Sequence, residues 1–180
     1  MSEQFSHPIG RFNLLRGTHF HLTEVSGSLV LHNARLDKGL LRSASFIAQS
    51  TELSGATTRY AECNAHQTKE SAWEHVRATE FPERPSRIKS FYCFDKLEDA
   101  ATANQSWFAS APRRIVELRI LEGSNIARAD SKWLDCEPEK WADYARAYWA
   151  GESTQQPLFE TIVSGCVCFP DWESFPLLGS

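Results

Sequence analysis

The sequence lacks several features that would by themselves indicate a function. It has no G-x-G-x-x-G segment, no phosphate-binding P-loop, no internal repeat and no apolar run of membrane-spanning length. We therefore expect neither a dehydrogenase nor a kinase, and no membrane partner.

An excess of positive charge is also missing. The 19 Lys and Arg residues stand against 23 Asp and Glu, and the formal net charge is -4. This balance gives no general attraction to nucleic acid or to acidic membranes, although it allows a local basic patch.

Cysteine is scarce and odd in number. The cysteines are Cys63, Cys93, Cys136, Cys166 and Cys168. No second pair stands at zinc spacing beside Cys166 and Cys168, so we expect no metal site. Residues 1–11 are polar and carry no apolar signal segment, so we expect a cytoplasmic protein with reduced thiols.

What is present fits one globular domain over residues 1–180. Hydrophobic residues make up 42% of the chain, and six Trp and eleven Phe indicate an aromatic-rich core or cleft.

The patterns of apolar residues predict an α+β order of elements. The predicted strands are 18–24, 90–94, 115–121, 126–129 and 157–169. The predicted helices are 68–79, 97–109 (capped by Asp95) and one that opens at Glu137-Pro138-Glu139 and closes at Gly151. Residues 1–11 are read as a loose or edge segment, 36–47 as a short helix and 49–58 as a loop.

Three predicted strands carry polar side chains suited to chemistry on a sugar. Glu160 is a lone acid in the apolar strand 157–169, where an unpaired charge facing the core costs roughly several kcal/mol. It therefore either faces solvent or lines a cleft, where a carboxylate stabilises an oxocarbenium-like transition state. Tyr92 offers a ring for stacking a heterocycle, and His21 can bond a hydroxyl.

These segments together resemble the ADP-ribosyltransferase superfamily, in particular the His-Tyr-Glu branch. That branch includes the poly(ADP-ribose) polymerases, the rifampin ADP-ribosyltransferases and the DNA-modifying bacterial toxins. Phe20-His21-Leu22-Thr23 is similar to the first motif of this branch. Residues 90–94, followed by an L-x-x-A helix, are similar to the second, and residues 158–163 to the last.

The resemblance implies two small mixed or antiparallel sheets that form a split cleft with flanking helices. It implies NAD+ as substrate, and His21, Tyr92 and Glu160 as the catalytic set. His21 would bind the adenosine ribose, with Thr23 supporting that strand end. Tyr92 would stack on nicotinamide, and Glu160 would stabilise the cation formed as nicotinamide leaves. The polar loop 152–156 would border the acceptor.

The sequence departs from the family pattern at several positions. Leu22 stands where many members have Gly, the residue that allows the backbone to approach the carboxamide of NAD+ closely. A rival register resembles the Arg-Ser-Glu branch, with Arg16 and Ser90 as NAD+-binding residues; the strand pattern favours His21. Leu158 stands where that branch uses Glu or Gln to select protein acceptors.

Basic residues flank the second motif and its helix. They are Arg84, Arg87, Lys89, Arg113 and Arg114. They would hold the NAD+ pyrophosphate or a nucleic-acid backbone, or they form a solvated basic edge. Among them, Ser86-Arg87 is the first pair to test.

The resemblance thus predicts an NAD+-dependent ADP-ribosyltransferase, as a toxin or defence effector. Its acceptor would be nucleic acid, protein or a small molecule, and an antitoxin would be its partner. Two alternatives stay open. An NAD+ glycohydrolase would use the same site with water as acceptor, and a non-catalytic binding module would keep only the fold.

Overall fold

The computed structural model describes residues 3–49, 52 and 68–178. Most of the predicted loop 49–58, and Cys63, lie outside these residues. The described chain forms small antiparallel sheets and five α-helices, which confirms the α+β class. None of its helices is both long enough and apolar enough to cross a membrane.

The helices are α1 (Leu29–Leu36), α2 (Ala44–Ile47), α3 (Thr68–Glu80), α4 (Leu97–Trp107) and α5 (Trp141–Ala150). The strands are β1 (Gln4–His7), β2 (Gly10–Asn13), β3 (His19–Thr23), β4 (Leu40–Arg42), β5 (Phe91–Cys93), β6 (Arg114–Ile120), β7 (Asn125–Asp130), β8 (Phe159–Ser164) and β9 (Cys166–Cys168). Short 3-10 turns cover Arg87–Lys89, Ser131–Leu134, Pro138–Lys140 and Trp172–Ser174.

The chain divides into two compact units, and each is discontinuous in sequence. The first unit comprises residues 1–42, 93–124 and 166–180, and the second comprises residues 43–92 and 125–165.

The first unit contains the β1–β2 hairpin and a four-stranded antiparallel sheet in the order β3-β6-β9-β4. His21 pairs with Val116 in the β3–β6 ladder. Leu14, Leu40, Leu121 and Cys168 form a buried cluster in this unit. The alternation that predicts β6 holds, because Val116, Leu118 and Ile120 are all buried.

The second unit packs α3 and α5 against the sheet β5-β8-β7. Its core contains Trp73, Val76, Ala127, Ala129, Ala145, Tyr148, Trp149 and Ile162. Helix α5 buries Ala145, Tyr148 and Trp149, which share one face at i, i+3 and i+4. It ends at Gly151, whose φ of 79° is the left-handed conformation that glycine adopts most easily.

The predicted strand 157–169 is wrong in its extent. It is two strands, β8 and β9, separated by Gly165 at φ 154°. The N–H of Gly165 donates to Ser43 Oγ and its carbonyl accepts from Ser43 N, so its backbone bonds leave the strand ladders. Gly165 lies inside an otherwise apolar run, and a glycine in a strand pattern is a signal for such an interruption.

Three other local predictions also need correction. Residues 4–13 form the β1–β2 hairpin where a loose segment is expected. The predicted short helix at 36–47 is replaced by the end of α1, then β4, then α2. Helix α4 has Lys96 at its N-cap, not Asp95, whose Oδ1 lies 3.7 Å from His19 Nε2.

Candidate functional site

A cluster of polar side chains is buried in the second unit, and we call it the Arg87 cluster. Its members are Glu70, Arg87, Tyr92, Tyr148 and Glu160. Arg87, Glu160 and Tyr148 are only 4%, 3% and 0% exposed. Ionised groups are rarely buried this deeply without a partner, because desolvation costs several kcal/mol per ion, roughly.

One guanidinium joins the two carboxylates of the Arg87 cluster. Arg87 Nη1 donates to Glu160 Oε1 at 2.7 Å. On its other edge, Nε and Nη2 donate to the two oxygens of Glu70 at 3.1 and 3.3 Å. Arg87 therefore links α3 to β8 through charge-assisted hydrogen bonds.

Two tyrosines complete the cluster. The Tyr148 hydroxyl donates to Glu160 Oε1 at 2.7 Å and also contacts Arg87 Nη1. Tyr92 donates to the Arg87 carbonyl at 2.5 Å. The rings of both tyrosines lie 5.1 Å from Arg87 Cζ, within the range of a cation–π contact.

The electrostatics of the cluster keep its groups in defined protonation states. Burial lowers the pKa of Arg87, but Tyr148, Tyr92 and the two carboxylates outweigh burial and hold this pKa well above its usual value. Burial raises the pKa of Tyr148 well above its usual value, and Glu160 adds to this rise against the opposing effect of Arg87. The phenol is therefore a neutral donor and the guanidinium a permanent cation.

Local sequence explains how each side chain reaches the cluster. Glu160 is the second residue of β8 and pairs with Ala129 of β7. Tyr148 belongs to the buried face of α5, and Glu70 stands one turn before Trp73 on α3. Arg87 begins a 3-10 turn, and Tyr92 lies on β5, the strand next to β8.

The structure brings Tyr92 and Glu160 into one cluster, as candidate residues on neighbouring strands. Glu160 does not face solvent, which corrects one of the two environments expected for it, and its charge is paired with Arg87. Arg87, expected at the NAD+ pyrophosphate, is instead buried, and its charge is bound by the protein's own carboxylates.

Ser90, a candidate NAD+-binding residue, also lies in the second unit. It directly precedes β5, its side chain is 8% exposed, and its Oγ is buried without a hydrogen-bond partner among the described residues. A buried hydroxyl of this kind is uncommon, because most find a partner in the protein or in bound water.

The remaining candidates belong to the first unit. His21 is half-buried on β3 and makes an edge contact with Phe169, their ring centroids 6.2 Å apart. Thr23 is 2% exposed, and its hydroxyl lies 2.5 Å from Ser28 Oγ, which caps α1. Arg16 is exposed between β2 and β3.

Two members of the Arg87 cluster, Glu70 and Tyr148, are not among the site residues predicted from the sequence. A signal for each exists in the sequence. Glu70 lies on the same helix face as Trp73, so a carboxylate stands on the apolar side. Tyr148 carries a hydroxyl on the apolar face of α5, and a buried phenol usually has a hydrogen-bond partner.

Outside the Arg87 cluster, the buried acid Asp130 holds the loop before β8. It is 0% exposed, and its Oδ2 accepts from Thr154 N at 2.8 Å and from Thr154 Oγ1 at 2.7 Å. Its Oδ1 accepts from Lys132 N at 3.0 Å and from Leu158 N at 2.9 Å. Burial raises the pKa of Asp130, but these hydrogen bonds outweigh burial and hold this pKa below its usual value.

Among the described residues, no three His, Cys, Asp or Glu side chains are grouped as a metal site would require.

Comparison with known proteins gives a family but no activity. No curated protein matches the chain. A family model described as "Protein of unknown function (DUF2441)" matches residues 25–170, a range that begins after β3 and includes β5, β8 and the whole Arg87 cluster. Since this match covers most of the 180 residues, the chain belongs to the DUF2441 family, whose function is unknown.

Proposed function

We propose that this protein is an NAD+-dependent ADP-ribosyltransferase in which Glu160 is the catalytic carboxylate. The observation that carries the proposal is the buried Glu160, oriented by Arg87 and Tyr148 on the strand next to the one with Tyr92. Ionised networks of this kind concentrate at functional sites, where a low dielectric strengthens the interaction of a carboxylate with a cation.

In the proposed reaction the bond between ribose C1 and the nicotinamide nitrogen breaks. Nicotinamide leaves as a neutral molecule with the bonding electron pair, and the ribose becomes an oxocarbenium ion. Glu160 stabilises this cation electrostatically. The acceptor then forms a bond to C1 and loses a proton to solvent. Tyr92 would stack on the nicotinamide, while the roles of His21, Thr23, Ser90 and Arg16 in binding NAD+ stay predictions of the family resemblance.

The position of Leu158 supports a nucleic-acid or small-molecule acceptor over a protein. In the Arg-Ser-Glu branch a polar residue two positions before the catalytic Glu selects protein acceptors. Here Leu158 is 4% exposed and cannot offer a polar contact to an acceptor side chain. Water as the acceptor would make the same site an NAD+ glycohydrolase.

The 3% exposure of Glu160 favours a second candidate. In a non-catalytic binding module, the Arg87 cluster would be a structural link between α3, α5 and β8, and no NAD+ would be consumed.

Mass spectrometry of the full chain with NAD+ and a mixture of DNA, RNA and cell lysate tests the proposal. We expect nicotinamide release, with ADP-ribose attached to one class of acceptor. Glu160→Gln should slow this release by about 100- to 1,000-fold, because it removes the charge that stabilises the cation. Glu160→Gln should still fold, because Arg87 keeps its contacts to Glu70.

Glu122→Gln, at an exposed position in the first unit, is the matched control and should keep full activity. Free ADP-ribose as the sole product would identify the glycohydrolase. If the wild type neither binds nor consumes NAD+, the non-catalytic module is the better description.

A further inference from the structure

Among the residues that the structure describes, the side-chain donors to Glu160 bind one of its two oxygens. Both Arg87 Nη1 and the Tyr148 hydroxyl donate to Oε1, each at 2.7 Å, and neither bond uses Oε2. Two donors on a single oxygen fix the direction of the carboxylate more firmly than one donor does, since rotation about the Cγ–Cδ bond of Glu160 would break both hydrogen bonds.

The two donors are themselves held in place. Glu70 binds the opposite edge of the Arg87 guanidinium through Nε and Nη2, and Tyr92 binds the Arg87 carbonyl. The Tyr148 ring is fully buried and packs edge-on against Trp149, with 4.9 Å between ring centroids. Preorganised donors of this kind cost no reorganisation at the moment of reaction.

Packing alone does not require the hydroxyl of Tyr148. A Phe would fill the same space in the core formed with Trp73 and Ala145, without a polar atom to desolvate. The contacts of the hydroxyl are with Arg87 and Glu160, so its role lies in the cluster.

We infer that Tyr148 and Arg87 are positioning residues, which hold Glu160 by Oε1 so that Oε2 stabilises the ribosyl cation. The inference rests on the proposed function and deepens it. Through Tyr148, helix α5 takes part in positioning the catalytic carboxylate, although none of the three sequence motifs lies on α5.

The test is steady-state kinetics of nicotinamide release by Tyr148→Phe, with enzyme concentrations corrected for the folded fraction. We expect kcat to fall about 10- to 100-fold, the effect of losing one hydrogen bond to a charged group. The KM for NAD+ should change by less than about twofold, because Tyr148 orients Glu160 and does not bind NAD+ in the ground state.

Tyr144→Phe is the matched control, since Tyr144 lies on the same helix and packs against Trp133 outside the Arg87 cluster. It should leave both constants unchanged. Arg87→Lys gives an independent readout: a single ammonium cannot reproduce the forked contacts to both carboxylates, so we expect a loss of kcat at least as large as that of Tyr148→Phe.

The outcomes separate this inference from the proposed function. If the wild type is active, Glu160→Gln is inactive and Tyr148→Phe keeps the wild-type kcat, the positioning role is wrong and the function stands. If the wild type releases no nicotinamide with any acceptor, the function is wrong and the positioning role is overturned with it. A lower melting temperature of Tyr148→Phe with unchanged kcat per folded molecule would show a purely structural hydroxyl.

Discussion

Replacing Arg87 with Met is expected to lower the free energy of unfolding by about 3–5 kcal/mol, because it leaves two carboxylates buried without their cation. Glu70 and Glu160 are 7% and 3% exposed, so water cannot take the place of the guanidinium without opening the core. Urea denaturation followed by tryptophan fluorescence measures this loss. The second unit contains four of the six tryptophans, and the signal reports mainly on that unit.

Two further variants separate lost charge balance from lost packing. Combining Arg87→Met with Glu70→Gln and Glu160→Gln removes all three charges, so this variant should be more stable than Arg87→Met alone. Arg146→Met removes a surface pair with Glu80 and should have a much smaller effect, because solvent screens that pair. An Arg87→Met protein as stable as the wild type would contradict the arrangement of the Arg87 cluster.

Replacing Asp130 with Ala is the second change with a large expected effect, also about 3–5 kcal/mol. It removes the acceptor of three backbone N–H groups, those of Lys132, Thr154 and Leu158, and each buried donor left unpaired costs about 1–3 kcal/mol. Hydrogen exchange should show loss of protection at Thr154 and Leu158 first. Asp135→Ala, at an exposed acid nearby, should change stability by less than about 0.5 kcal/mol.

The stabilisation by Asp130 should depend on pH with a defined sign. Its pKa is lower in the folded chain than in the unfolded chain, so the unfolded chain binds the proton first as the pH falls. The contribution is therefore complete above the unfolded pKa of about 4, and it disappears as the pH falls through the folded value. The stability difference between wild type and Asp130→Ala should narrow below about pH 4; a difference that stays constant down to pH 2 would contradict this reading.

Much of the fold could be predicted because local patterns of apolar and turn-forming residues determine its elements. The alternation of Val116, Leu118 and Ile120 identifies β6, and the pair Pro138 and Gly151 brackets α5 with its leading turn. The failures come where tertiary contacts decide. The strand break at Gly165 depends on bonds to Ser43, which is distant in sequence.

The candidate site was predicted only in part, for a related reason. Glu160 stands out because it is a single acid in an apolar strand, and Tyr92 because the segment around it resembles a motif of another family. The other members of the cluster come from other elements of the chain. Arg87 is separated in sequence from Glu160 by 73 residues, from Tyr148 by 61 and from Glu70 by 17, and no local pattern spans these distances. Arg87 itself looks like a surface cation in the sequence, since its charge is balanced only after the chain folds.

The most direct test of the account is the initial rate of nicotinamide release from NAD+ by the wild type and by Glu160→Gln, compared at equal concentrations of folded protein. The account predicts release by the wild type and a rate at least about 100-fold lower for Glu160→Gln, because the substitution keeps the shape of the side chain and removes its charge. Equal rates for the two proteins, or no release by the folded wild type, would contradict the claim that the buried Glu160 is a catalytic carboxylate.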